Sequence, residues 1–146
     1  MSYLVRRGKI ATVVALVALA AAACGGGENE QAGVGTAETA PRPQRVGVDG
    51  LVDFLDATPS AVLVNVHIPY EGHIDGTDAF VPFDEIAMWE GLPADRDAPI
   101  ALYCRSGSMS AQAAATLLDL GYTHLVDLDG GMNAWTAAGK TLKTNR

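Results

Sequence analysis

Cysteine is nearly absent from this chain. There are two in 146 residues, Cys24 and Cys104, eighty positions apart. Histidine is almost as scarce, and His67, His73 and His124 are scattered with no second thiol nearby. No Cys/His spacing matches a zinc site, so neither a metal nor another cofactor is expected. Basic residues are few: ten Lys and Arg stand against seventeen Asp and Glu, for a net charge of −7. An acidic chain repels nucleic acid and anionic lipid headgroups, which excludes nucleic acid as an expected partner. No apolar run reaches the roughly twenty residues of a membrane span. The longest, Ile10 to Ala23, has fourteen and contains only Thr12 as a mildly polar member.

That short run nevertheless has a meaning. It follows the basic segment Arg6-Arg7-Gly8-Lys9 and ends in small residues, which is the order of a secretory signal rather than a transmembrane anchor. Its end, "LAAAACGGG", resembles the lipobox of bacterial lipoproteins. The resemblance implies cleavage before Cys24 and acylation of that residue. Ala21 stands where that family usually has Leu, and Leu19 lies two residues further back. Arg6-Arg7 suits twin-arginine export less well than general secretion, because the flanking residues fit poorly. Loss of residues 1–23 would remove Arg6, Arg7 and Lys9 and leave a net charge of −10. Membrane contact is therefore expected through lipid and not through a basic face. The expected location is the outer side of the bacterial cytoplasmic membrane or a periplasm.

Residues 24–45 are rich in Gly, Ala, Thr, Glu and Pro, with no aromatic residue. Such a segment buries too little surface to offset its ordering entropy and reads as a flexible tether. Residues 46–146 remain, enough for one small domain, expected as a monomer.

Within the domain, helical and strand patterns alternate. Leu51, Val52, Phe54 and Leu55 define a first helix, with Asp49 as its cap and Thr58-Pro59-Ser60 as its stop. "AVLVNV", "AFVP", "APIALYC" and "THLVDLDG" read as strands. "FDEIAMWEGLP" reads as a helix with Phe83, Ile86, Ala87 and Trp89 on one side. "SMSAQAAATLLDLGY" is a helix with Ala111, Ala114, Ala115 and Leu118 facing the sheet and Gly121 as its end, and "GMNAWTAAGK" is a last helix. This order predicts an α/β domain: a small, mostly parallel, five-stranded sheet with helices on both faces.

Cys104 ends the most central-looking strand, where ligands bind in open α/β folds. The segment Arg105-Ser106-Gly107-Ser108-Met109 then turns the chain into a helix. Gly107 permits a tight turn, small serines leave amides exposed, and the helix start adds positive partial charge. Arg105 adds a full charge. All of these favour a thiolate at Cys104 and an anionic group beside it. In an exported protein an unpaired cysteine is either buried and inert or kept for reactivity. This loop points to a nucleophile.

Three motifs in order carry a resemblance to a single-domain rhodanese, a sulfurtransferase fold: "AVLVNVHIPYEGHIDGTDAFVP", "LYCRSGSMSAQAA" and "VDLDGGMNAW". The resemblance covers nearly all of Val46 to Lys143. It implies that Cys104 accepts sulfane sulfur from a donor such as thiosulfate or polysulfide and becomes a persulfide. The sulfur then passes to a thiol or another thiophilic acceptor. It implies that Arg105, Ser106, Gly107, Ser108 and Met109 form the substrate cradle. Ser110 occupies the place where a cysteine phosphatase needs Arg, which disfavours phosphatase chemistry.

The chain departs from the family pattern at three places. Asn65-Val66-His67 replaces a common Asp-Val-Arg, Met109 replaces a common Arg, and Thr77 replaces a common Ala, the last reading as minor. Met109 makes the rim apolar and suits a persulfide or organic thiol better than a dianion. His73 reads as a structural hydrogen-bonder and His67 as a candidate for a modest part in proton handling. Trp89 and Trp135 read as core or rim aromatics, Tyr103 as facing a helix, and Asp127 with Asp129 as a solvated strand end. Two other functions fit less well. A binding or sensing module with little turnover would follow from the changes at Met109 and His67. A disulfide oxidoreductase would need a resolving cysteine that the domain lacks.

Overall fold

The computed structural model describes residues 41–145. The signal, Cys24 and most of the tether lie outside the described residues. Strands β1 (Gln44–Val46), β2 (Val62–Asn65), β3 (Ala79–Phe80), β4 (Ile100–Tyr103) and β5 (Leu125–Leu128) form one parallel sheet in the order β1-β5-β4-β2-β3. Three helices, α1 (Val48–Ala57), α2 (Ser108–Asp119) and α3 (Gly131–Ala137), connect or follow them. The fold is the expected α/β arrangement.

The two-residue alternation of strand side chains divides the core into two layers. Val64, Ile100, Leu102 and Leu125 pack against α2 through Ala113, Ala114 and Leu117. Leu63, Ala101, Tyr103, Val126 and Leu128 pack on the opposite face with Leu51 of α1 and Met132 and Trp135 of α3. Every residue of β4 and β5 is buried. A chain covered on both faces needs apolar residues at consecutive positions, which explains the "IALY" run.

Several local expectations are corrected. The first strand opens at Gln44, two residues inside the segment read as tether, and its three residues pair with Val126, Asp127 and Leu128. Gly47, not Asp49, caps α1, and Asp49 sits in its first turn. The helix expected around Trp89 is only a 3₁₀ turn, Ile86–Met88, with Ile86 as its buried residue. The sheet-facing stripe of α2 is Ser110, Ala113, Ala114 and Leu117, while Ala111 and Ala115 are exposed. Tyr103 reaches a loop and not a helix. The Ile74 N–H donates to its hydroxyl at 3.0 Å, and that hydroxyl pairs with Thr77 Oγ1 at 2.6 Å. Thr77 Oγ1 in turn donates to the Ile74 carbonyl at 2.6 Å. Thr77 is therefore the partner that lets a buried phenol be satisfied, not a minor replacement. Burial pushes the Tyr103 hydroxyl above its usual pKa.

Asp127 is the largest departure. It was read as solvated and is instead fully buried, while Asp129 is exposed. Among the described residues no hydrogen-bond partner of good geometry reaches either carboxylate oxygen. The nearby Ser110 hydroxyl donates to the Gly107 carbonyl instead, and Arg45 Nε stands 3.7 Å away. Burial pushes the Asp127 carboxyl above its usual range, against the pull of Ser110 and Arg45. As pH rises from strong acid, the unfolded chain ionises at this residue first. The native state therefore loses stability from the ordinary carboxylate range up to the folded-state pKa. Asp127→Asn, which removes the buried and weakly paired charge at nearly unchanged shape, is expected to stabilise the domain at neutral pH. Arg45 keeps Asp129 at 2.7 Å in either case. Urea unfolding at neutral and acid pH would show the gain shrinking toward acid. A loss of stability at neutral pH would contradict the assignment.

Candidate active site

Cys104 follows the last residue of β4, so the sheet sets its position. The chain must then reverse into α2 within a few residues, and Gly107 permits this with φ +94° as the helix N-cap. In that conformation the Gly107 N–H donates to Cys104 Sγ at 3.1 Å. A main-chain donor thus points at the sulfur, and the twelve-residue helix α2 begins at the same place with its positive end toward the loop. The cysteine is only 1% exposed. It belongs to the buried cluster that includes Val66, Leu102 and Ala113, and it lines a cleft of about 490 Å³.

The cleft gathers most of the residues expected at the site. Cys104, Arg105, Ser106, Ser108 and Met109 line it, together with His67, Phe83, Gln112 and Asn133. Gly107 lies behind this lining and contributes its amide. Phe83, Gln112 and Asn133 are not among the site residues that the sequence predicts. The helical spacing of Gln112 after Ser108 was the one available signal for it.

The loop is held from behind by the start of α3. The Met132 N–H donates to the Cys104 carbonyl and the Asn133 N–H to the Arg105 carbonyl, each at 2.9 Å. Gly131 makes this approach possible. It has φ +56°, and a Cβ there would stand 2.2 Å from the Cys104 carbonyl oxygen. This is the physical content of the Gly-Gly motif preceding Trp135.

The charges beside the cleft are mutually engaged. Arg105 Nη1 lies 3.3 Å from both oxygens of Glu71. His67 Nε2 is 3.2 Å from Glu71 Oε2. Asn65 supports this arrangement. Its amide donates to the Gly72 carbonyl at 3.0 Å, and its Oδ1 accepts the His67 N–H at 2.9 Å. At Asn65-Val66-His67 the scaffold is therefore held by neutral hydrogen bonds from Asn65 together with the His67–Glu71 contact. His73 stays outside the cleft. It pairs with the Tyr70 hydroxyl at 2.8 Å and bridges to Lys143 through its backbone. Trp135 is buried in the core and Trp89 packs at its edge.

A parallel sheet with a cysteine at the head of a tight loop, its sulfur met by a loop amide, defines a class of loop-thiol α/β domains. Comparison with known proteins places the chain within that class. Residues 44–138 match the Rhodanese-like domain family, and the chain belongs to that family. A protein of Mycobacterium tuberculosis named probable adenylyltransferase/sulfurtransferase MoeZ is 40% identical over 91 residues. The match covers 58% of this chain and 22% of that one, so the chain spans under a quarter of that relative. A protein of Allochromatium vinosum named sulfurtransferase is 37% identical over 95 residues, covering 62% of this chain and 86% of that one. Among solved structures, a rhodanese homolog of Thermus thermophilus is similar at TM-score 0.52 and 29% identity, covering 62% of this chain and 99% of that one. Sulfurtransferases are thus among its relatives.

Proposed function

We propose that this protein is a sulfurtransferase. It moves sulfane sulfur from a donor to a thiol or other thiophilic acceptor through a persulfide on Cys104. The observation that carries the reading is the Gly107 N–H on Cys104 Sγ at the floor of an open cleft. The names of the relatives support the class of reaction. A thiosulfate sulfurtransferase GlpE of Ectopseudomonas mendocina is 35% identical over 81 residues, 53% of this chain and 72% of that one.

The cleft favours donors that carry little charge. Among the described residues its one full side-chain cation, Arg105, already faces Glu71, and Met109 is apolar. Thiosulfate is a dianion and needs cationic partners to leave water. An organic persulfide carries at most one negative charge and needs fewer, and a thioether rim suits polarizable sulfur. Initial rates of sulfur loading are expected to favour an organic persulfide over thiosulfate. Met109→Arg is expected to raise the thiosulfate rate by about tenfold, the effect of one charge-assisted contact of roughly 1.4 kcal/mol. A wild-type chain that prefers thiosulfate, with no gain in Met109→Arg, would contradict this donor class. Loading without repeated turnover for any small acceptor would instead identify a sulfur-binding module, which the engaged Arg105 also fits.

We further propose that Cys24, outside the described residues, carries lipid and places the domain at a membrane surface. Two acyl chains would hold it there without a span. The mass of the protein extracted from membranes tests this. An unmodified, uncleaved Cys24 peptide would remove the proposal.

A further inference from the structure

Among the described residues, His67 carries the one unpartnered buried polar atom of the cleft lining. Its side chain is 8% exposed, and it lines the cleft together with Cys104. Nε2 faces Glu71 Oε2 at 3.2 Å. An ionised carboxylate only accepts hydrogen bonds, so in the neutral ring Nε2 carries the proton and Nδ1 carries a free lone pair. Nδ1 is buried and has no partner. A buried acceptor left unpaired costs stability and calls for an explanation. Glu71 holds the ring through Nε2 and is itself held by Arg105 of the cysteine loop, while Asn65 Oδ1 holds the backbone N–H of the same residue. A base oriented by a carboxylate, in the wall of a nucleophile's cleft, is the arrangement that takes a proton from a reacting group.

We propose that His67 is a catalytic residue: the proton acceptor for the incoming thiol in the second half of the reaction, with Glu71 as its positioning residue. The inference rests on the sulfurtransferase reading above. The acceptor R–SH gives its proton to His67 Nδ1. Its sulfur attacks the outer sulfur of the Cys104 persulfide, and a new S–S bond forms as the bond to Cys104 breaks. The electron pair of the broken bond stays on Cys104 Sγ, where the Gly107 N–H stabilises it. The product leaves as R–S–S⁻, and protonated His67 returns its proton to water. No oxidant or reductant is consumed. Catalytic hydrogen bonds of this kind often form only once the reacting group is bound.

The test separates the two half-reactions in the full chain. Cys104 is first loaded from polysulfide, and single-turnover transfer is then followed to 2-mercaptoethanol or to sulfite, an acceptor with no proton to surrender in mild alkali. His67→Gln is expected to slow transfer to the thiol by about 10²-fold, the lower range for losing a general base. Loading and transfer to sulfite fall far less. Glu71→Gln, at an exposed side chain that leaves the fold intact, is expected to show the same acceptor bias with a smaller loss. Equal losses for thiol and sulfite, or none for either in both variants, would overturn the assignment while leaving the persulfide reading intact. A wild-type chain that never loads sulfur would remove both.

Discussion

Cys104→Ser is expected to reduce sulfur transfer by about four orders of magnitude or more, the scale of losing a covalent nucleophile. Ser is close in size, and its hydroxyl can still accept the Gly107 N–H that lies 3.1 Å from the sulfur in the native protein. The fold should therefore survive, with a melting temperature close to that of the wild type. The loss is chemical. A serine hydroxyl is far less acidic than a thiol and cannot form a persulfide. The comparison is informative because the chain has only one other cysteine, Cys24. Transfer rates for wild type, Cys104→Ser and Cys24→Ala, measured with one donor and one acceptor, decide it. Retained transfer in Cys104→Ser that disappears in Cys24→Ala would move the chemistry to the wrong end of the chain and end the account of the cleft.

Gly131→Ala is expected to be the most damaging single-atom addition to the fold. The new Cβ would stand 2.2 Å from the Cys104 carbonyl oxygen and 2.8 Å from the Arg105 carbonyl carbon, at a backbone φ of +56°. Both neighbours are main chain, so neither yields by rotating a side chain. Relief requires α3 to retreat from the cysteine loop, which breaks the Met132 and Asn133 hydrogen bonds to it. The expected cost is at least about 4 kcal/mol, combining overpacking, backbone strain and lost hydrogen bonds. Gly139→Ala is the control. That residue also has positive φ, +77°, but nothing lies within 4 Å of its added Cβ, so only about 1–2 kcal/mol of strain is expected. Urea unfolding of both variants separates collision from conformation. Equal destabilisation would show that Gly131 is required only for its backbone angle. Surviving Gly131→Ala protein should also transfer sulfur poorly, because the displaced loop carries the nucleophile.

What could be seen in the sequence follows from the range of the forces involved. Strands β2, β4 and β5 were visible because burial on both faces demands consecutive apolar residues. The cysteine loop was visible because its chemistry is local: a strand end, a glycine and a helix start within six residues. Strand β1 was hidden because "QRV" has no pattern of its own. Its pairing with β5 is decided across more than eighty residues. The 3₁₀ turn at Ile86–Met88 carries a helical spacing of apolar residues, yet the segment is too short to sustain a helix against Pro82 and Pro93. The stripe on α2 was misplaced because alanines occur all round that helix, and Ser110, a polar residue, is one of those buried. The alternation of β5 puts Asp127 on the α2 face, and only tertiary packing shows that this face is fully buried there. The contacts of Glu71 with His67 and Arg105 join positions as far as thirty-four residues apart, beyond the reach of any local pattern.

The most direct measurement is the mass of the Cys104 peptide after the full chain has met polysulfide, before and after addition of a thiol. The account predicts a gain of one sulfur atom on that peptide alone, lost again when the acceptor is added. An unmodified Cys104 peptide across donors, or added sulfur that the thiol cannot remove by transfer, would contradict it.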